Sequence, residues 1–183
     1  MRGKHRRVPR YVALLRAINL GSRNRVSMPE LRELLARDGH RDVATLLQSG
    51  NVVLTSRLSA ARLERDLQKR IAEELGVDTP VIVRTRDELA AVVERDPLGD
   101  VADDPKRYQV TFLSEEPDAE VAAELAAADV APERIELVGR ELYTWHPNGI
   151  QRSKAERLRA SKRLPAGTAR NWSTVTKLLE LAR

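Results

Sequence analysis

The chain has 183 residues, no cysteine, and 32 Lys and Arg against 27 Asp and Glu, a formal net charge of +5. Without cysteine there is no disulfide framework, no Cys-containing zinc site, no iron-sulfur ligation and no thiol nucleophile, and a chain this long buries roughly 70% of its unfolded surface unaided. A cytoplasmic address is the simplest expectation. The apolar stretch after the basic residues Arg2, Lys4, Arg6, Arg7 and Arg10 stops at Arg16, and the longest charge-free run, Val43 to Ser56, is too short and polar to span a membrane.

In chain order, residues 1–9 read as a flexible basic tail, and Tyr11 to Ile18 is an apolar run of strand length followed by a polar loop, Asn19 to Arg25. Ser27-Met28-Pro29-Glu30 has the capping-box spacing and opens a helix whose stripe is Leu31, Leu34 and Leu35 and whose stop is Gly39. Two strand-like runs, Val43 to Gln48 and Asn51 to Ser56, flank Ser49-Gly50 as a tight hairpin. Leu63, Leu67, Ile71 and Leu75 then mark a helix ended by Gly76, and Pro80 to Arg84 is a short β-branched strand. A second capping box, Thr85 to Glu88, starts a helix to about Glu94, and the turn-rich Asp96 to Pro105 follows as an acidic connector.

Beyond the connector, Tyr108 to Leu113 reads as a strand, Pro117 to Ala128 as an Ala-rich helix starting near Ser114, and Arg134 to Val138 with Glu141 to Trp145 as a hairpin around Gly139-Arg140. Helices over Ser153 to Lys162 and Asn171 to Ala182 close the chain, with no evident final strand. The order β-α-β-β-α recurs, which predicts an α+β protein of two ferredoxin-like subdomains with antiparallel sheets, over residues 10–85 and 107–183, joined by a helix and connector at 86–106. A parallel α/β sheet is the weaker alternative, because two tight hairpins force antiparallel pairs.

Charge is unevenly spread along this frame. Residues 1–57 carry 12 Lys and Arg against 4 Asp and Glu, residues 58–150 carry 11 against 21, and residues 151–183 carry 9 against 2. Two basic ends around an acidic middle would attract an anionic partner if the ends meet, although solvated faces also cluster by sign.

The catalytic inventory is thin. His5, His40 and His146 do not share metal-ligand spacing, His146 is expected to pack or hydrogen-bond at its strand end, and no nucleophile elbow, phosphate loop or dinucleotide fingerprint occurs. No cofactor or metal is expected. The loop with Gly21, Arg23 and Arg25 feeds the capped helix start at Ser27, where guanidinium groups and backbone amides would suit phosphate or carboxylate. Arg170 beside an Asn171 N-cap resembles it in kind, with Trp172 as a packing anchor. The run Arg152, Lys154, Arg157, Arg159, Lys162 and Arg163 would suit phosphate backbones without base readout, or simply be a solvated face.

At these residues a family likeness emerges. The segments YVALLRAINLGSRNRVSMPELRELL, LQSGNVVLTS, HPNGIQRSK and TARNWSTVTKLLEL, in that order, resemble the bacterial DUF1697 family, a domain of unknown function. The resemblance implies two ferredoxin-like subdomains and brings no established activity. Its recurrent pattern maps onto Arg16, Asn19, Gly21, Asn24, Met28, Ser49, Gly50, Asn51, Asn148, Gly149, Ser153, Lys154, Arg170, Asn171, Trp172, Thr174 and Lys177, while Ala17, Ser22 and Ser27 depart from the family's usual glycines and proline.

Together these readings predict a binding protein for a phosphorylated or otherwise anionic small molecule, at a site where the basic ends converge. Its residues would be Arg16, Asn19, Gly21, Asn24, Arg25, Ser49, Asn51, Lys154, Arg170, Asn171 and Lys177. Alternatives are a nucleic-acid-associated protein and, last, an enzyme using Ser49 or Ser153 with Lys154 as base; no membrane partner is expected.

Overall fold

A computed structural model describes residues 8–160 and 163–183. The basic tail through Arg7, and Lys162, lie outside the described residues. The elements run β1 (Arg10–Leu15), α1 (Met28–Arg37), β2 (Arg41–Leu46), β3 (Asn51–Thr55), α2 (Ala60–Leu75), β4 (Val81–Thr85) and α3 (Arg86–Arg95), then β5 (Tyr108–Leu113), α4 (Ala119–Ala127), β6 (Arg134–Val138), β7 (Glu141–Trp145), α5 (Lys154–Arg159), β8 (Gly167–Asn171) and α6 (Trp172–Leu181). They build two four-stranded antiparallel sheets, ordered β2-β3-β1-β4 and β6-β7-β5-β8. The chain is α+β, with two ferredoxin-like βαββαβ units each followed by a helix. By contacts, one compact unit comprises the described residues to Ala90 with Leu178–Arg183, and the other Ala91–Lys177.

In the first unit Tyr11, Ala13 and Leu15 of β1, with Val52, Leu54, Val81 and Val83 beside them, pack on Leu31, Leu34 and Leu35 of α1 and Leu63, Leu67 and Ile71 of α2. The opposite face is buried too, through Val12, Leu14, Val53, Ile82 and Arg84. That double burial is why β1 reads as a continuous apolar run. Ser27 Oγ accepts from the Glu30 amide at 3.4 Å, Ser59 caps α2 in the same way, and Gly76 ends α2 at a φ of 67°. Arg70 of α2 grips the Asp38 carboxylate at the end of α1 with two bonds of 2.9 and 3.0 Å, tying the helices together and holding that carboxyl below its ordinary range.

The second unit contains a strand that the sequence pattern does not reveal. β8 closes its sheet beside β5, so both units are βαββαβ and not one complete and one truncated. The buried positions of β8 are Thr168 and Arg170, so no hydrophobic period marks it. Two other boundaries shift. α4 begins at Ala119, after Pro117 has disfavoured helical backbone at Glu116, and α5 covers only Lys154–Arg159 of the expected Ser153 to Lys162.

The β2–β3 turn is also longer than expected. β2 ends at Leu46, and Leu47 takes a φ of 61°. The Asn51 carboxamide closes the turn by donating to the Leu46 carbonyl at 2.8 Å and to Ser49 Oγ at 2.9 Å. Gly50 has a φ of 77°, and a Cβ there would lie 2.7 Å from both Leu15 Cβ and Ile18 Cδ1. Gly50→Ala should therefore destabilise the protein by roughly 2–4 kcal/mol through strain and overpacking, whereas Gly21→Ala, which meets no atom within 4 Å, should lose only about 1 kcal/mol. Urea denaturation of the two variants checks this; equal losses would contradict it.

Candidate functional site

The two units match in register around their central strands, while β2 carries a register shift between Arg41 and Ala44 that β6 lacks. Val12, third in β1, lies opposite Val53 and Arg84; Val110, third in β5, lies opposite Tyr143 and Arg170. Arg84 and Arg170 are both buried, and each donates to the carbonyl of the residue before it, Val83 at 3.0 Å and Ala169 at 2.8 Å. Against this common frame two connections stand out as enlarged. The β1–α1 loop runs over residues 16–27 where β5–α4 needs only 114–118, and the β7–α5 loop runs over 146–153 where β3–α2 needs only 56–59. Loops elaborated on a rigid frame are the usual place for binding and catalysis.

The β1–α1 loop is anchored by the buried side chains of Ile18 and Val26. Along the loop the backbone turns left-handed repeatedly, with φ of 50° at Ala17, 54° at Asn19, 65° at Gly21 and 50° at Asn24. Each non-glycine residue in that region costs roughly 1–2 kcal/mol, so other bonds must fix it there. Asn19 does most of this. Its Nδ2 donates to the Val26 carbonyl at 2.9 Å and the Gln48 carbonyl at 2.7 Å, and its Oδ1 accepts from the Val26 amide at 2.9 Å. Asn24 Nδ2 reaches the Ala17 carbonyl at 3.4 Å, and the Arg16 amide and carbonyl bond the Pro80 carbonyl and Thr79 Oγ1.

Beside this loop lies a groove of about 550 Å³ lined by Asn19, Arg25, Val26, Ser27, Met28, Pro29, Glu30 and Gln48. Arg16, Arg23 and Arg25 are exposed; Arg25 donates to the Gly21 carbonyl at 3.1 Å, and none of the three meets a carboxylate among the described residues. The helix start contributes less than its spacing promises. Ser27 already occupies the Glu30 amide, Pro29 has no N–H, and the Glu30 carboxylate stands on the rim. An anion here would be held mainly by guanidinium groups, which offer fork-shaped, charge-assisted bonds.

The structure thus gathers Asn19 and Arg25 at one groove, with Arg16, Gly21 and Asn24 in the same loop. Ser49 and Asn51 belong to the adjoining turn, where Asn51 is buried and bonds Ser49. The remaining expected residues lie in the second unit. The Arg170 guanidinium is buried, donates to Thr168 Oγ1 at 2.6 Å, and is pushed down to about 10 by desolvation. The Asn171 carboxamide oxygen accepts from Ser173, from the Thr174 amide and from Thr174 Oγ1, capping α6. Trp172 stacks on Tyr108 with ring centroids 4.8 Å apart. Lys154 donates to the Ala131 carbonyl at 3.1 Å, and Lys177 is exposed on α6.

In the enlarged β7–α5 loop the Ser153 hydroxyl has a base beside it, and that base is His146, not Lys154. Ser153 Oγ lies 3.0 Å from His146 Nδ1 and also caps α5 by accepting from the Glu156 amide at 3.0 Å. With 2% and 0% exposure, both side chains are buried. Among the described residues, no three acidic or histidine side chains gather as a metal site would, and no helix is long and apolar enough to cross a membrane.

A family model described as "Protein of unknown function (DUF1697)" matches residues 8–143, most of the chain and all of the first unit's strands and loops. The chain belongs to the DUF1697 family. The match ends before the β7–α5 loop, so the likeness of HPNGIQRSK and TARNWSTVTKLLEL stays outside it. A solved structure, titled as that of the conserved bacterial protein SP0830 from Streptococcus pneumoniae, is similar with a TM-score of 0.78 and 24% identity, covering 96% of this chain and 99% of the other. At that identity it shows a shared fold. No curated protein matches.

Glu30 and Gln48, which line the groove, are not among the site residues expected from sequence, whereas Arg23 is read there only as part of the basic loop. Asn19→Ala should release the loop, removing three hydrogen bonds and costing roughly 2–4 kcal/mol, read as lost amide protection across residues 17–26 while the β1 amides stay protected. Retained loop protection would contradict it. His146 is held below its ordinary value by burial, so the unfolded chain takes up the proton first as pH falls. Stability should be full above about pH 6.5 and decline below it, partly shared by buried His40, which shifts the same way. His146→Asn should flatten the fall in Tm between pH 7.5 and 5.5; an unchanged slope would contradict this role.

Proposed function

We propose that this DUF1697 protein is a cytoplasmic binding protein for a small anionic molecule, carrying a phosphate or carboxylate, at the β1–α1 loop of its first unit. Arg16, Arg23 and Arg25 supply the charge, and Asn19, Gly21 and Asn24 hold the backbone that presents them. The observation that supports this reading is that, among the described residues, none of those three exposed arginines meets a carboxylate. Several arginines elsewhere do, as in Arg107 with Asp104 at 2.9 Å, Arg70 with Asp38, and Arg159 with Glu156. A loop already fixed by Asn19 loses little conformational freedom when a ligand arrives. Lys154 and Lys177 remain outside this reading, and Arg170 and Asn171 are engaged in the β8–α6 junction.

The nucleic-acid reading has weaker support. Within the basic 152–163 segment, Arg159 is taken up by Glu156, and Arg163 by Glu124 and Glu120. Calorimetric titration with inorganic phosphate and with acetate tests the preferred reading. The double variant Arg16→Ala, Arg25→Ala should lose roughly tenfold or more in phosphate affinity while keeping its Tm. Glu30→Gln, which removes a carboxylate from the groove rim, should tighten binding about two- to fivefold at low salt. Unchanged affinity in the double variant would overturn the proposal.

A further inference from the structure

Two side chains at this loop are at odds with a purely ionic site. Leu20 is 70% exposed and Leu47 60% exposed, and the next most exposed large hydrophobic among the described residues is Leu181 at 36%. They are not scattered. Asn19, the residue before Leu20, bonds the carbonyl of Gln48, the residue after Leu47, at 2.7 Å, and both Asn19 and Gln48 line the groove. The two leucines therefore stand on adjoining backbone at one end of it. Leu47 moreover holds a φ of 61°, where asparagine or glycine would be less strained, so the position accepts strain while leaving its leucine in water. The buried side chains of Val26 and Met28 give the same groove an apolar component.

Exposed apolar side chains beside a groove that is lined by Arg25, an arginine with no carboxylate partner among the described residues, are a pattern for binding a molecule that has both characters. Resting on the anion-binding reading above, we infer that the ligand is amphipathic: a phosphate or carboxylate held by the loop arginines, bearing an alkyl or aryl substituent that covers Leu20 and Leu47. The apolar part supplies area-proportional affinity and the head group supplies orientation. A monoanionic head group suits the rim better than a dianion, because Glu30 is there.

The test is a titration of the full-length protein with inorganic phosphate, n-butyl phosphate and n-octyl phosphate, the last below its micelle concentration. Affinity should rise from inorganic through butyl to octyl phosphate by about twofold for each methylene, half the gain of full burial. In the double variant Leu20→Ser, Leu47→Ser, both sites being exposed, Tm should hold, inorganic phosphate should bind as in the wild type, and the dependence on chain length should disappear. Equal affinity for the butyl and octyl esters, or a chain-length dependence that survives in the serine variant, would overturn the inference while leaving the anion-binding reading intact. Failure of inorganic phosphate and both esters to bind would overturn both. A parallel sedimentation assay with phosphatidylglycerol vesicles separates a lipid surface from a soluble ligand. No co-sedimentation is expected, and vesicle binding without octyl phosphate binding would overturn the soluble amphiphile.

Discussion

Burial of the central strands on both faces is the constraint from which the rest follows. β1 is enclosed from Tyr11 to Leu15, and in β5 Tyr108, Val110 and Phe112 are as buried as Thr111 and Leu113. A strand with no solvent face has no position for a side chain that must meet a ligand, so β1 and β5 offer none between Tyr11 and Leu15 or at Tyr108 and Val110 to Leu113. Arg84 and Arg170, buried in the sheets, each spend a hydrogen bond on the carbonyl of the preceding residue in their own strand, and desolvation lowers the affinity of Arg170 for its proton.

Within that limit the two units diverge only where the fold permits. Sheet order and the register around the central strands coincide, down to the arginine opposite the third residue of each. The β1–α1 connection does not. In the first unit it is long, basic and left-handed; in the second, residues 114–118 read Ser-Glu-Glu-Pro-Asp, short and acidic. The frame common to this chain and the Streptococcus pneumoniae structure explains why both fold alike. It leaves function to the loops, as fold similarity generally does.

Much of the frame was legible because local chemistry and tertiary packing agree. Ser27 and Glu30 announce α1, Gly76 ends α2, and Gly139 turns the second hairpin, each through a backbone requirement that only certain residue types meet. β8 was invisible for the opposite reason, since its inward residues are Thr168 and Arg170 and hydropathy carries no trace of their burial. The site was half legible. Arg16, Asn19, Gly21, Asn24 and Arg25 do share one loop, but that Asn19 braces it depends on its three bonds to Val26 and Gln48. Likewise, nothing in the spelling of Leu20 or Leu47 says that they stay in water; that follows from the left-handed turns that carry them outward from the core.

The anion recognition proposed for this loop would rest on side chains whose positions are set by a strained, well-braced backbone, with the helix start playing a minor part because Ser27 and Pro29 leave it few free amides. Amide chemical-shift titration of the uniformly 15N-labelled protein with inorganic phosphate tests this most directly. Saturable shifts confined to residues 16–30 and 47–50, with 114–118 of the second unit unmoved, are the expected result. Shifts centred on the second unit, or none at either loop, would contradict it.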